Sequence, residues 1–363
     1  MTIPTRMSGV LLKGHGGFEQ LEYREDIPVP VPGPGEVLIR VGAAGVNNTD
    51  INTRIGWYSK SVTAATATAG GSAGDARAKA EDGGWTGTAL KFPRIQGADA
   101  CGRIVAAGAG VDVARVGERA LIEPVLRAAS RGGPPYGAPY FGSECDGGFA
   151  EFTKVPAVHA HRIESPLSDA ELASFPCAYS AAENMLARTG LTEGETVLIT
   201  GASGGVGSAA VQLARRRGAQ VIAVAGVSKA AEVESLGADR VIPRDADLIS
   251  AVGRESADVV IDVVGGPQWP QLLEILKRGG RYAVAGAIAG PVVALDLRTL
   301  YLKDLRLLGC TMFEPGVFAD LVRYIERGEI KPAVWKTFPL REIVQAQQEF
   351  LGKAFTGKIV LIP

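Results

Sequence analysis

Apolar and polar positions follow two different rhythms along the 363 residues. Up to about Ala160, short apolar or alternating runs (EVLIRVGAAGV, GRIVAAGAG, RALIEPV, GFAEFTKVP) are separated by Gly/Pro turns such as VPGPGE. That spacing predicts a small all-β barrel without a long helix. From about Ser168 to Leu302, continuous apolar strands alternate with helical stretches: TVLIT (196–200), a helix over Val206–Arg217, QVIAVA (220–225), a helix near Lys229–Leu236, DVVIDVV (258–264), a helix over 268–278 and RYAVAGA (281–287). Strands apolar on both faces, joined by helices, predict a doubly wound parallel sheet in an α/β unit. The last sixty or so residues, with a helix around Gly316–Arg327 and the closing strand GKIVLIP, read as an α+β piece that returns to the first unit. The expected division is therefore 1–165, 166–302 and a C-terminal segment 303–363.

Residues 59–90 keep neither rhythm. They are dominated by Ala, Gly, Thr and Ser and exceed an ordinary loop in length. Two readings stand: a surface insertion of low burial, or a lid over a cleft with Trp57, Tyr58 and Trp85 as apolar anchors.

Composition narrows the classes. With 38 Lys+Arg against 39 Asp+Glu and 46% hydrophobic residues, nothing favours nucleic acid or an anionic membrane surface. The longest apolar candidate, Tyr282–Leu295, is short and broken by Gly290-Pro291, so no membrane span is expected. The N-terminus lacks an apolar run of signal-peptide length. Cys101, Cys145, Cys177 and Cys310 are scattered without a CxxC pair, which points to reduced thiols and a cytoplasmic protein.

The strongest motif lies at Thr196–Ala219. A strand runs into Gly201-Ala202-Ser203-Gly204-Gly205-Val206-Gly207 and a helix begins at once, the context of a dinucleotide-binding loop. Gly204 lets backbone approach a pyrophosphate, Gly207 lets the helix pack close to the strand, and the helix N-terminus offers unpaired N–H groups. An NAD site usually carries an acid at the end of the second strand. Here that strand ends in Gly226-Val227-Ser228-Lys229, with no acid before Glu232. Ser228 and Lys229 suit a 2′-phosphate, so the expected cofactor is NADPH.

With GVNNTDI, GADACGRIV, GGFAEF, ITGASGGVGSAAVQLA and GKIVLIP in this order, the chain resembles the medium-chain dehydrogenase/reductase superfamily, and within it the zinc-free quinone oxidoreductase (zeta-crystallin-like) branch. The resemblance covers nearly all of the chain except 59–90. It implies a GroES-like β-barrel catalytic domain beside a Rossmann domain. Zinc-dependent members place three metal ligands at positions that fall here on Asn47, Ala98 and Cys177. Only the cysteine is a zinc-ligand type, so no metal is expected, and Cys177 is expected as a small core-facing residue. The stretch matching the structural-zinc lobe, before GGFAEF, offers only Cys145.

The resemblance places Asn47 and Tyr58 near the nicotinamide and the substrate. Tyr58 is expected to donate to the substrate oxygen, with water as final proton source, and Asn47 to fix the nicotinamide ribose or the substrate. Asp50, and alternatively Asn47, would cap a helix starting near Thr49; Tyr58 beside Trp57 would alternatively be pocket wall. Gly286 and Phe313 would line the nicotinamide side, and Lys353 would approach the cofactor phosphates. The expected activity is NADPH-dependent reduction of a quinone or an α,β-unsaturated carbonyl by a homodimer. A zinc-type alcohol dehydrogenase homologue and a non-catalytic NADPH-binding protein are the alternatives.

Overall fold

The computed structural model describes residues 2–66, 80–127 and 137–363. Part of the 59–90 insertion, residues 67–79, and part of the stretch before GGFAEF, residues 128–136, lie outside the described residues, so the lid reading of that insertion does too.

The first unit is built on a seven-stranded sheet. Its path runs Val334–Pro339, Lys358–Ile362, Glu36–Val46, Cys101–Ala107, Arg119–Ile122 and Ala160–Arg162, with Phe152–Pro156 pairing on Glu36–Val46. A smaller sheet of Leu21–Pro28, Arg6–Leu12 and Arg94–Ile95 closes one side. The two strands from the chain's end lie in the first unit's sheet: Ile359 faces Val46 and Leu361 faces Ala44 in antiparallel register. This return brings Lys358 beside residues more than 250 positions earlier.

The second unit is a six-stranded, all-parallel sheet in the order Arg240–Pro243, Gln220–Ala225, Thr196–Ile199, Ala257–Asp262, Leu276–Val284 and Arg306–Gly309. Its central strands are buried almost throughout, which is why they read as unbroken apolar runs. Two details depart from expectation. The helix expected over 268–278 spans Trp269–Ile275, because Leu276 already enters the next strand, whose Gly279 at positive φ makes a bend. The parallel sheet also runs past residue 302, since Arg306–Gly309 pairs with Leu276–Val284 as its sixth strand.

The helix Pro176–Thr189 packs against the helices Gly205–Arg216 and Val317–Glu326. One apolar cluster runs from Ala98, Cys101 and Tyr140 of the first unit through Ala178 and Ala182 into Val197, Ile199 and Phe313 of the second. Among the described residues, no helix is long and apolar enough to cross a membrane.

Candidate active site

The helix Asn48–Ile55 follows directly on the long strand Glu36–Val46 and starts at a tight N-terminus. Asn47 is its N-cap, and the Asn47 N–H donates to Asp50 Oδ2 at 2.7 Å. Asp50 has the capping role that its position suggested. Its second oxygen accepts from the N–H groups of Gly97 (3.2 Å) and Ala98 (3.4 Å), so one carboxyl ties the helix start to the turn before Cys101–Ala107. Burial pushes the Asp50 carboxyl up to about 7, against backbone donors that hold it down.

Asn47 is only 7% exposed, and both ends of its amide are engaged. Oδ1 accepts from Lys358 Nζ at 2.5 Å, and Nδ2 donates to Asp99 Oδ2 at 2.8 Å. Lys358 Nζ also donates to Asp99 Oδ2 at 2.7 Å, and Asp99 Oδ1 accepts from the Cys177 N–H at 2.6 Å. Lys358 is 2% exposed and Asp99 fully buried. A buried charge persists when paired and hydrogen-bonded, and here each charge is. Sequence reasoning did not single out Lys358 or Asp99. The available signal was a lysine opening an otherwise apolar strand, and an aspartate in the apolar run GADACG.

Of the three positions where the resemblance puts metal ligands, Asn47 belongs to this network, Ala98 precedes Asp99, and Cys177 donates its backbone N–H to Asp99. Ala98 offers no donor atom, and the Asn47 amide is spent on Lys358 and Asp99. The Cys177 thiol is pushed up to about 12, first by burial and then by Asp99, so it is neutral near pH 7. A zinc ion needs three protein donors, and of Asn47, Ala98 and Cys177 only the cysteine is a zinc-ligand type, so these residues do not fit it. Cys177 faces the core as expected, packed against the main apolar cluster from the first turn of the helix Pro176–Thr189, and it also accepts a hydrogen bond from the Tyr140 hydroxyl at 3.1 Å.

Tyr58 follows the helix, after Gly56 has turned the chain at φ 72°. Its hydroxyl donates to Thr49 Oγ1 at 2.9 Å, and burial pushes its pKa up, so it stays protonated and able to donate. The Trp57 ring packs edge-on against it at 5.9 Å. The first arm of the insertion reaches across to the second unit, where the Thr66 N–H donates to the Ile288 carbonyl at 3.1 Å, two residues from Gly286.

The dinucleotide loop has the geometry its glycines require. Gly201 sits at φ 59° and Gly204 is the N-cap of the twelve-residue helix Gly205–Arg216. A Cβ at Gly207 would collide with the Gly201 carbonyl oxygen, so only glycine allows the helix this close to the strand. Ala202 is buried behind the turn, while Ser203, Gly204 and Val206 are partly or fully open. The Ser203 carbonyl accepts from the Gly357 N–H at 3.0 Å, and the Lys358 stem lies against Gly205. The returning strand thus joins the loop to the Asn47–Asp99 network. Half-buried Gly286 packs near Val263, where a Cβ would come within 3.0 Å of the Val263 carbonyl oxygen. Phe313 is buried with its ring under the Arg127 guanidinium and stacked toward Phe318.

Beyond the loop, Ser228 and Lys229 form a short 3-10 turn after Gln220–Ala225. Lys229 Nζ donates to the Lys353 carbonyl at 2.5 Å. Lys353, at positive φ, ends the helix Ile343–Gly352 and lays its Nζ over the Phe350 ring at 3.6 Å. The Arg244 N–H bonds the Ala225 carbonyl, and its guanidinium acts on Lys229. Among the described residues none of these three cations has a salt-bridge partner. Each lysine is pushed down, by desolvation first and then by the neighbouring cation; Lys353, exposed as a residue, reaches about 7. Glu232 offsets part of this repulsion at Lys229, and a cluster richer in cations than in carboxylates suits a phosphorylated dinucleotide.

Residues 33–165 match the alcohol dehydrogenase GroES-like domain family, and residues 205–327 the zinc-binding dehydrogenase family. The chain is 29% identical to an acryloyl-coenzyme A reductase of Metallosphaera sedula, over 98% of this chain and 99% of that protein. It is 26% identical to the quinone oxidoreductase of Homo sapiens, over 98% of both chains. A solved structure from Sinorhizobium meliloti 1021, provisionally described as an alcohol dehydrogenase, is 47% identical and superposes with a TM-score of 0.88 over 99% of this chain and 98% of that one.

Proposed function

The chain belongs to the medium-chain dehydrogenase/reductase superfamily of nicotinamide-dependent oxidoreductases, and from that premise we propose that it is an NADPH-dependent, zinc-independent reductase of quinones or α,β-unsaturated carbonyls. The observation that carries this reading is the buried Asn47–Asp99–Lys358 network, which engages the Asn47 amide and borders the other two metal-ligand positions, Ala98 and Cys177. A site without a Lewis acid suits acceptors that are already electrophilic and need alignment above all.

When bound, the reduced nicotinamide supplies the hydride. Tyr58 donates its hydroxyl proton as a hydrogen bond to the acceptor oxygen on which charge develops, in exchange for its present bond to Thr49 Oγ1. The protonated phenol keeps its own proton, and water supplies the one that completes reduction. Asn47 acts as a positioning residue: Lys358 and Asp99 hold its amide, and the strand behind it is tied to the dinucleotide loop. Ala202, Ser203, Gly204, Gly205, Val206 and Gly207 hold the pyrophosphate, with Gly286 and Phe313 toward the nicotinamide. Ser228, Lys229 and Lys353 take the 2′-phosphate, helped by Arg244, which sequence reasoning did not single out. Lys353 in this reading meets that phosphate, since it stands beside Lys229.

The test is oxidation of NADPH and NADH against a panel of quinones and enones, with and without a strong chelator, and alcohol oxidation in the reverse direction. Chelator-insensitive NADPH oxidation with at least one quinone or enone is expected. Chelator-sensitive alcohol oxidation alone would replace the reading with the alcohol dehydrogenase suggested by the Sinorhizobium relative's description. The exposed Leu307 on the edge strand Arg306–Gly309 supports a homodimer, measurable by light scattering. Reduced thiols support a cytoplasmic location, since all four cysteines are free.

A further inference from the structure

Tyr140 is a fixed ring with a weakly held hydroxyl. The residue is 6% exposed. Its ring stacks on Trp85 at 4.3 Å between centroids, and its N–H donates to Glu144 Oε2 at 3.1 Å. The other oxygen of Glu144 accepts from Thr86 N and Thr86 Oγ1, both at 3.0 Å, and Ser143 Oγ accepts from the Trp85 N–H. One short segment thus clamps both aromatic rings. The Tyr140 hydroxyl, by contrast, donates only to Cys177 Sγ at 3.1 Å, and a neutral thiol sulfur is a weak acceptor. Cys177 is half-buried and stands where a metal-dependent relative would bind its substrate-activating ion.

We propose that Tyr140 is a second catalytic hydroxyl, which leaves the Cys177 thiol and donates to the same acceptor oxygen as Tyr58 when substrate binds. The proposal rests on the reductase reading above. Tyr58 and Tyr140 arrive from different segments and meet the same end of the helix Asn48–Ile55: Tyr58 through Thr49, and Tyr140 through Cys177, whose N–H is held by Asp99, the partner of Asn47. Two such donors on one substrate oxygen would form the kind of anion-stabilising pair that acts most strongly away from water. Exchanging a thiol for an oxygen bearing negative charge replaces a weak hydrogen bond by a charge-assisted one. No covalent bond of the enzyme changes: the phenolic proton stays on Tyr140, and the added proton comes from water.

The test uses Tyr140→Phe, Cys177→Ser and the double variant, each assayed on the best acceptor, with NADPH affinity and Tm measured alongside. Tyr140→Phe is expected to lower kcat about 100-fold, with NADPH Kd and Tm unchanged. A serine hydroxyl holds Tyr140 more firmly than a thiol does, so Cys177→Ser is expected to lower kcat about tenfold in the wild-type background and not at all in the Tyr140→Phe background. Tyr140→Phe activity within twofold of wild type, or strictly additive effects, would overturn the proposal. If Tyr140→Phe does not fold, Cys177→Ser decides alone: lowered kcat supports the proposal and unchanged kcat overturns it. If the wild type reduces no acceptor, the reductase reading fails by itself. Binding of 4-nitrophenolate to the NADP+-loaded enzyme then reads the donor directly, a tenfold loss in Tyr140→Phe supporting it and equal affinity overturning it.

Discussion

The two cationic regions, around Asn47 and around Ser228, differ in whether their charges already have partners. Around Asn47, one ammonium is sealed among apolar strands and matched donor for acceptor: Lys358 on Asp99 and Asn47, and Asp99 on the Cys177 N–H. Around Ser228, the cations Lys229, Arg244 and Lys353 crowd one another and lack carboxylate partners among the described residues. The first arrangement is complete without a ligand, and removing either Lys358 or Asp99 leaves a buried charge unmet. The second is a cluster of mutually repelling cations, offset at Lys229 in part by Glu232, that a bound anion would relieve further. Charge alone therefore says little about role; what decides it is whether the charge already has its partner.

The comparison breaks most visibly at Lys358. Lys358→Met leaves Asp99 buried without its counter-ion and should cost about 3–5 kcal/mol of stability, read as a fall in the urea midpoint at unchanged slope. Lys229→Met should leave the same midpoint almost untouched, because its ammonium has no buried partner to abandon. Equal midpoints for wild type and Lys358→Met would mean that the buried pair is not what holds the returning strand in place.

The rim is sharpened by the opposite readout. Lys229→Ala and Lys353→Ala should each weaken NADPH binding about tenfold, the size of one charge-assisted hydrogen bond at roughly 1.5 kcal/mol, and leave NADH binding within twofold. Loss of affinity for both cofactors alike would assign these lysines to the shared pyrophosphate and remove the argument for the 2′-phosphate.

The two regions also differed in how far they could be read from sequence. The dinucleotide loop was legible because its requirements are local: a strand, glycines at fixed offsets and an immediate helix start, all within Thr196–Arg216. Ser228 and Lys229 were legible as the end of the next strand. Asp50 was legible as a cap because capping acts over three residues. Lys358 and Asp99 were not, since 259 positions separate them and a lysine at the start of a strand reads as solvated until the strand is placed inside a sheet. Cys177 packs against the core as its residue type suggested, but nothing near it in sequence announces that Tyr140, 37 residues earlier, rests on its sulfur. Arg244 was missed because its place in the cluster depends on the parallel register of Arg240–Pro243 beside Gln220–Ala225.

A pH dependence is also expected, and its sign follows from the rim cations. In the free protein the Lys353 ammonium is pushed down to about 7, first by desolvation and then by Lys229. A bound 2′-phosphate favours the charged lysine and raises that value toward the ordinary lysine range. Between the free and the bound value, binding must take up a proton, so affinity falls as pH rises. From pH 7 to 9 the NADPH affinity should drop by at most tenfold per pH unit, the limit for one coupled proton, while NADH affinity stays flat. Lys353→Met should abolish the slope while leaving Lys229 in place. The check is isothermal titration of both cofactors at pH 7, 8 and 9: parallel lines for NADPH and NADH would mean that Lys353 does not meet the phosphate, and a slope that survives in Lys353→Met would move the titrating group to Lys229.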